Sequence, residues 1–273
     1  MGPRQVLFLL ALAGTSALFL LPFAWLISAS LKVSGEVFNG EWIPDPIAWD
    51  NYLRLWDVAP FAVWSVNSMI AGVLAAVTVT VASAFVAFGF AYFRFPGRNV
   101  VFGLVLATMM LPGAVTMIPS FLIWDALGWV NTLVPLWAGN LFGSAFYIFL
   151  LRQFFLNLPR ELFEAGRVDG ASYLQLWRSI AMPLTTPALI AVAIFEFKAN
   201  WTDLVRPLIY LHDASTFTLP LGLKTLLDEF GSGLEQWELV MAASVIVTLP
   251  MIVLFLFGQR YFVQGIATTG RKG

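Results

Sequence analysis

Six long apolar runs divide this chain, and the polar residues collect between them instead of alternating with them. The runs cover residues 6–31, 61–93, 100–123, 133–151, 183–208 and 239–263. A helix that crosses a hydrocarbon core about 30 Å thick needs about 20 apolar residues, so each run reads as one transmembrane helix. The second run is long enough to require tilt. Pro112 and Pro119 interrupt the third, and Pro250 lies within the sixth. The first run is preceded by Arg4 and followed by Ser28-Ala29-Ser30, as in a cleaved leader, but it exceeds the core length of a signal peptide and carries Pro22 and Trp25 late. It reads as a retained span. The expectation is one all-α domain over residues 1–273, with six spans and no internal repeat.

Composition agrees with this pattern. Charged residues make up 11% and hydrophobic ones 59%, with a mean hydropathy of +0.82, whereas soluble domains carry about 25% charged residues. No basic stripe is present to neutralise phosphates, so nucleic acid is not an expected partner. The chain has no cysteine, which removes disulfides, thiolate metal sites and cysteine nucleophiles from consideration.

Charge sets the orientation. With six spans both termini share one side, which holds Arg4, Arg94, Arg98, Arg152, Arg160, Arg167, Arg178, Arg260, Arg271 and Lys272. The other side holds Lys32, Arg54, Lys198, Arg206 and Lys224. This bias makes the termini cytoplasmic. The outer segments are acidic, through Glu36, Glu41, Asp45, Asp50 and Asp57 in the first and Asp213, Asp228, Glu229, Glu235 and Glu238 in the last. They present a negative field to any partner.

The inner segment 157–182 is the most structured polar stretch. Pro159 and Glu161 suit a helix start, with the carboxylate at the positive end of the dipole. Asp169-Gly170 predicts a stop near Val168, with Gly170 in the left-handed conformation. Ser172 and Gln175 have capping-box spacing and open a second short helix, and Pro183 marks entry to the fifth span. Leu162 and Phe163 are bulky apolar residues in a charged loop, and Ala165 and Gly166 are small. They fit a knob and close approach for a soluble partner, or equally packing beneath the ends of the spans.

The loop resembles the conserved cytoplasmic loop of binding-protein-dependent ABC importer permeases: EAA, three residues, G, nine residues, I-x-L-P. Here it reads Glu164-Ala165-Gly166, then Gly170, then Ile180-Ala181-Met182-Pro183. Glycine replaces the third small residue and Met182 replaces leucine. Asn200-Trp201-Thr202-Asp203 with Pro207-Leu208 is similar to a signature of carbohydrate permeases, with Thr202 departing from it. The end, from Gln259 to Gly265 and then Gly270-Arg271-Lys272-Gly273, resembles the second permease of maltose-type importers. The resemblance implies a type I importer permease fold in a bacterial cytoplasmic membrane. It implies as partners a second homologous permease, two copies of an ABC ATPase, an extracytoplasmic binding protein and a sugar. The loop around Leu162, Phe163, Glu164, Ala165, Gly166, Asp169, Gly170, Ile180 and Pro183 would dock in the ATPase and the tail would reach toward it. The outer segment 208–238 would face the binding protein.

No catalytic constellation is expected on this chain. Gly222-Leu223-Lys224-Thr225 lacks the spacing of a phosphate loop, so no cofactor is expected here, and ATP and magnesium would belong to the partner ATPase. His212, the only histidine, has no partner of metal-ligand type, and the sequon at Asn200 lies at a span end. Candidate pathway residues are the polar and helix-breaking ones inside spans. Pro112, Gly113 and Pro119 break the third span, as a path lining or as a packing kink. Asn67, Ser68 and Asn140 line a path or bond between helices. In the fifth run Glu196, Asn200 and Asp203 recur on one helical face and Lys198, Thr202 and Arg206 on a nearly opposite one. Either stripe faces the path, or both are solvated at the outer interface. An acidic lining suits neutral or cationic polyols, and a basic one suits glycerol-phosphate-type anions. An ion-coupled secondary transporter using Glu196, Asp203 or Lys198 is the alternative class, and an internal repeat would normally accompany it.

Overall fold

The computed structural model describes residues 2–230 and 236–269, with side chains through Gln259. The tail 270–273, Glu235, and the side chains of Arg260 to Gly265 lie outside that description. Three helices are long and apolar enough to span a membrane: α1 (Pro3–Ser30), α3 (Phe61–Tyr92) and α14 (Trp237–Thr269), whose described apolar part runs to Gln259. The third, fourth and fifth runs form bent pairs, which bring the spans to as many as six. Where the sequence reads as one domain, the contacts divide the chain into two compact units, 1–62 with 219–251 and 63–218 with 252–273.

In the first unit α1 leaves Leu7, Phe8, Leu18 and Phe19 exposed, as a helix facing hydrocarbon does. The segment after it is organised by one buried cation. Lys32 donates through Nζ to Val37 O (3.3 Å), Asn39 Oδ1 (2.7 Å) and Glu41 O (2.6 Å). Asn51 opens α2 (Asn51–Val58) and donates to Ser30 O and Lys32 O at 3.0 and 2.8 Å. These side chains supply the hydrogen bonds that an irregular backbone lacks. Helix α13 (Leu219–Phe230) contains Gly222 to Thr225 within a regular helix, and Lys224 pairs there with Asp228. That geometry is not a phosphate loop.

In the second unit α3 presents a stripe of small buried residues, Ala71, Ala75, Ala84 and Ala87, with Val79 between them. Small residues permit close helix approach in the absence of a hydrophobic drive. A Cβ on Gly72 would lie 3.0 Å from the Phe197 ring. The core continues through Phe88, Leu151, Phe155, Phe163, Leu176 and Val192.

Each bent pair has a local cause. The third run forms α4 (Arg98–Ala107) with a 3-10 turn to Met110, then α5 (Gly113–Ala126), and turns by 98° between them. Pro112 is the extended N-cap residue of α5, as a residue without an N–H can be. Pro119 lies inside α5 and does not end it. The fourth run forms α6 (Val134–Trp137), a 3-10 segment to Phe142 and α7 (Ala145–Leu156), bent by 41°. Gly143 at the bend has φ +76°, and a Cβ there would meet Ser83 Oγ at 3.2 Å. A separate helix leads into the fifth run. A helix from Tyr173 to Leu184, made of α9 (Tyr173–Leu176), a π segment and α10 (Met182–Leu184), meets α11 (Thr186–Trp201) at 81°. The break falls at Thr185, two residues past Pro183, with Pro187 in the first turn of α11.

At the start of α14 Glu238 is fully buried, and neither carboxylate oxygen has a hydrogen bond among the described residues. Arg54 Nη1 lies 3.6 Å from its Oε1. Removing one partner of such a pair strands a buried charge, whereas removing both does not. Because Arg54 retains water contact, Arg54→Ala should lower stability by about 2 kcal/mol. Adding Glu238→Leu should recover most of the loss. Thermal unfolding in detergent checks this, and equal losses in the single and double variants would contradict the pairing.

Candidate functional site

The segment 157–184 folds as two short helices around a locked turn. Helix α8 (Arg160–Val168) carries Glu161 in its first turn and Arg167 in its last, matching both ends of its dipole. It stops through a Schellman motif: Ala171 N–H donates to Gly166 O at 2.9 Å and Gly170 N–H to Arg167 O at 3.1 Å. Gly170 has φ +82° with open space around it, so backbone conformation alone demands glycine there. The capping box forms, with Gln175 N donating to Ser172 Oγ at 3.3 Å and Ser172 N to Gln175 Oε1 at 2.7 Å. Arg167 closes the turn from above. Its Nη1 donates to Ala171 O at 2.9 Å and its guanidinium lies 4.5 Å from the Tyr173 ring centre.

Two residues read as partner contacts serve the loop itself. Phe163 is buried, with ring centres 5.5 Å from Tyr92 and 6.1 Å from Phe88. Its ring packs inward, so the knob reading fails for it. Gly166 also faces inward: a Cβ there would lie 2.7 Å from Leu176 Cδ2 and 3.1 Å from Ile180 Cδ1. Close approach at Gly166 is between α8 and the following helix. Tyr173 completes the join, 5.0 Å from Phe93 and 5.9 Å from Tyr92. Phe88, Tyr92, Phe93, Phe163 and Tyr173 thus fasten the loop to the end of α3. Only Phe163 of these was singled out in the sequence. The aromatic pair Tyr92-Phe93 closing the second run was the available signal.

The outward face is what remains. Leu162, Glu164, Ala165, Val168 and Asp169 are exposed, Val168 at 87%. Leu174 on the next helix is exposed too. Ile180 is half-buried against Gly166 and Pro183 is exposed. The loop therefore offers an apolar row rimmed by carboxylates.

The polar candidates of the spans separate into two groups. Asn140 and Glu196 come together: Asn140 Nδ2 donates to Glu196 Oε1 at 2.7 Å and to Ala75 O at 3.3 Å, and Tyr147 lies within hydrogen-bonding reach of the same carboxylate. Asn200 is buried and donates to Leu136 O at 2.9 Å, where Arg206 Nη1 also donates at 3.2 Å. Asn200 and Arg206 thus satisfy a carbonyl of the broken fourth run.

The two opposed stripes of the fifth run do not form as read. Helix α11 ends at Trp201, and Asp203 Oδ1 accepts from Val205 N–H at 3.0 Å and Arg206 N–H at 3.3 Å, starting α12 (Val205–Tyr210). Arg206 and Asp203 then pair with each other. Asn67 is elsewhere, donating to Ser215 O (3.0 Å) and Phe217 O (2.9 Å). It holds the segment after α12 together with Trp64 and Asn131. Trp64 Nε1 donates to Ala214 O at 2.8 Å. Asn131, at φ +63°, accepts through Oδ1 from His212 N–H, Asp213 N–H and Thr216 Oγ1 at 2.9–3.0 Å. Sequence reading passed over Asn131, since a lone asparagine in a loop carries no pattern.

The described residues thus form a helical, polytopic chain with a polar loop fastened to the end of one span. The sequence matches the family described as binding-protein-dependent transport system inner membrane component over residues 79–268. It is 34% identical to the arabinooligosaccharides transport system permease protein AraQ of Bacillus subtilis (strain 168), over 94% of this chain and 92% of that protein. It is also 34% identical to the sn-glycerol-3-phosphate transport system permease protein UgpE of Yersinia pestis, over 88% and 87% of the two chains. Its fold matches a chain of a bacterial ABC transporter involved in the import of the acidic polysaccharide alginate, with a TM-score of 0.83, 25% identity and coverage of 95% and 96%. The chain belongs to the binding-protein-dependent permease family, and it is a multi-pass inner-membrane subunit of an ABC importer.

The two glycines make separable predictions. Gly166→Leu should overpack the α8 contact with Leu176, lowering stability by about 1–3 kcal/mol and exposing the loop to protease. Gly170→Ala should cost about 1 kcal/mol through its backbone alone, and Gly170→Asn less. Thermal unfolding and limited proteolysis distinguish them. A Gly166→Leu protein as stable and protected as the parent would overturn the packing assignment.

Proposed function

We propose that this chain carries a sugar or oligosaccharide across the membrane as one of two permeases, and that a partner ATPase drives it by pushing on α8. Support comes from one observation above the others: α8 is fixed to α3 by buried aromatic rings on one side while its other side is left exposed, apolar at Leu162, Ala165 and Val168 and acidic at Glu161 and Glu164. Such an element passes a push to the spans without flexing first. In this reading two copies of an ABC ATPase hold ATP and magnesium, and a second homologous permease completes the path. An extracytoplasmic binding protein delivers the substrate at the outer face, and both termini are cytoplasmic. The solved relative with a TM-score of 0.66 and 14% identity, an alginate ABC transporter in complex with a periplasmic protein bound to an alginate pentasaccharide, shares the fold.

The choice between a neutral sugar and a glycerol-phosphate-type anion turns on the fifth run. Arg206 is paired with Asp203, and Glu196 is held by neutral groups. No free basic row is left along that helix, since Lys198 stands apart from Arg206. This favours a neutral or weakly charged sugar, as the name of the arabinooligosaccharide relative indicates and unlike that of the equally identical glycerol-3-phosphate one.

Affinity purification from native membranes should bring down a second permease, a nucleotide-binding ATPase and an exported binding protein. In vesicles rebuilt from these, Glu164→Lys should reduce ATP-driven uptake by tenfold or more, as expected when a charge in a docked interface is reversed at a loss of about 1.4 kcal/mol or above. The variant should still reach the membrane. Full uptake by Glu164→Lys would contradict the coupling role, and solute movement by the chain alone without ATP would favour the ion-coupled class.

A further inference from the structure

Two grooves meet where α3 ends and α4 begins. One, of about 430 Å³, is apolar and lined by Val86, Gly89, Phe90 and Phe93. The other, of about 440 Å³, is basic and polar and is lined by Gly97, Arg98, Asn99 and Val100. Arg94 and Phe95 line both, so the grooves adjoin. The basic part lies at the start of α4, whose N-cap, Gly97, makes no side-chain bond and whose first turn has no acidic residue. Arg98 is held in place by a bond from Nη1 to Phe93 O at 3.2 Å. A third arginine backs the site from α7: Arg152 donates to Phe90 O at 3.4 Å, lies 4.4 Å from the Phe102 ring centre and is close enough to Arg98 for the two to repel.

None of Arg94, Arg98 and Arg152 forms an ion pair with a carboxylate among the described residues. Charge bias in membrane proteins accounts for arginines on this side. It does not account for an apolar groove opening onto them. The complement of this surface is a molecule with an anion at one end and hydrocarbon at the other. Phosphate suits guanidinium groups through charge-assisted hydrogen bonds. Basic pockets at the cytoplasmic ends of spanning helices are suited to anionic headgroups. We propose that this composite groove binds an anionic phospholipid, with an acyl chain along Gly89 and Phe93 and its phosphate between Arg94 and Arg98.

The test uses the full-length chain in mild detergent, titrated with dioleoyl phosphatidylglycerol or dioleoyl phosphatidylcholine. Native mass spectrometry counts the bound lipid. Two variants address the two halves. Arg94→Gln with Arg98→Gln removes the headgroup partners. Gly89→Leu fills the apolar groove, and nothing lies within 4 Å of a Cβ there, so the substitution meets no clash at its first atom. The parent should prefer phosphatidylglycerol, and the double arginine variant should lose about thirtyfold in that preference. Gly89→Leu should lose retention of the lipid with an unchanged melting temperature. Equal retention of both lipids by the parent would overturn the site. So would full competition by soluble glycerol phosphate with no effect of Gly89→Leu, which would make it a simple anion site. Displacement of the lipid on assembly with the ATPase would assign the arginines to a protein partner instead.

Discussion

The aromatic packing of Phe163 and Tyr173 against Phe88, Tyr92 and Phe93 is the contact on which the rest of this structure depends. A loop outside the membrane gains nothing from lipid and must be held by its own contacts. Rings with centres 5–6 Å apart provide large buried area and defined geometry together. They fix α8 to the end of the longest helix in the second unit, and Gly166 then lets the next helix close on α8 from the other side. With both inner faces occupied, the outward face is the only one free to meet a partner.

The breaks in the spans follow a second constraint. Backbone groups inside a membrane need hydrogen-bond partners, and the broken fourth run finds some of them in side chains. Ser83 Oγ accepts from Ser144 N–H at 3.0 Å, while Asn200 and Arg206 both reach Leu136 O. The polar residues of the fourth and fifth runs therefore have a structural duty before any role in a path. Asn140 and Glu196 are the pair that combine a cross-helix bond with partial exposure.

Much of the architecture was legible in the sequence because it depends on length and hydropathy. The six runs, the stop at Gly170 and the Ser172–Gln175 capping box follow from local rules, and the structure shows the last two as read. Direction was less legible. Phe163 and Gly166 look like contact residues in sequence, but which way a residue on a short helix points is decided by what packs behind it: Tyr92 is 71 positions from Phe163, and Leu176 reaches Gly166 only once the turn at Gly170 folds the chain back. The stripes in the fifth run assumed a continuous helix. Asp203 ends that continuity by capping α12, a local competition between side chain and backbone that a period of 3.6 residues does not register. Asn67 was read as a path residue for its place in an apolar run, and its partners near Ser215 are 148 residues away.

The proposed coupling requires the exposed side of α8, and not its buried side, to meet the ATPase. The chain has no native cysteine, so single cysteines placed at Leu162, Ala165 and Val168 can be labelled with a thiol-reactive photocrosslinker and joined by light to the ATPase in native membranes. The account predicts adducts at these three positions, changing in yield when ATP is added, and none at Phe163. Adducts absent from all three positions in an intact complex would contradict it.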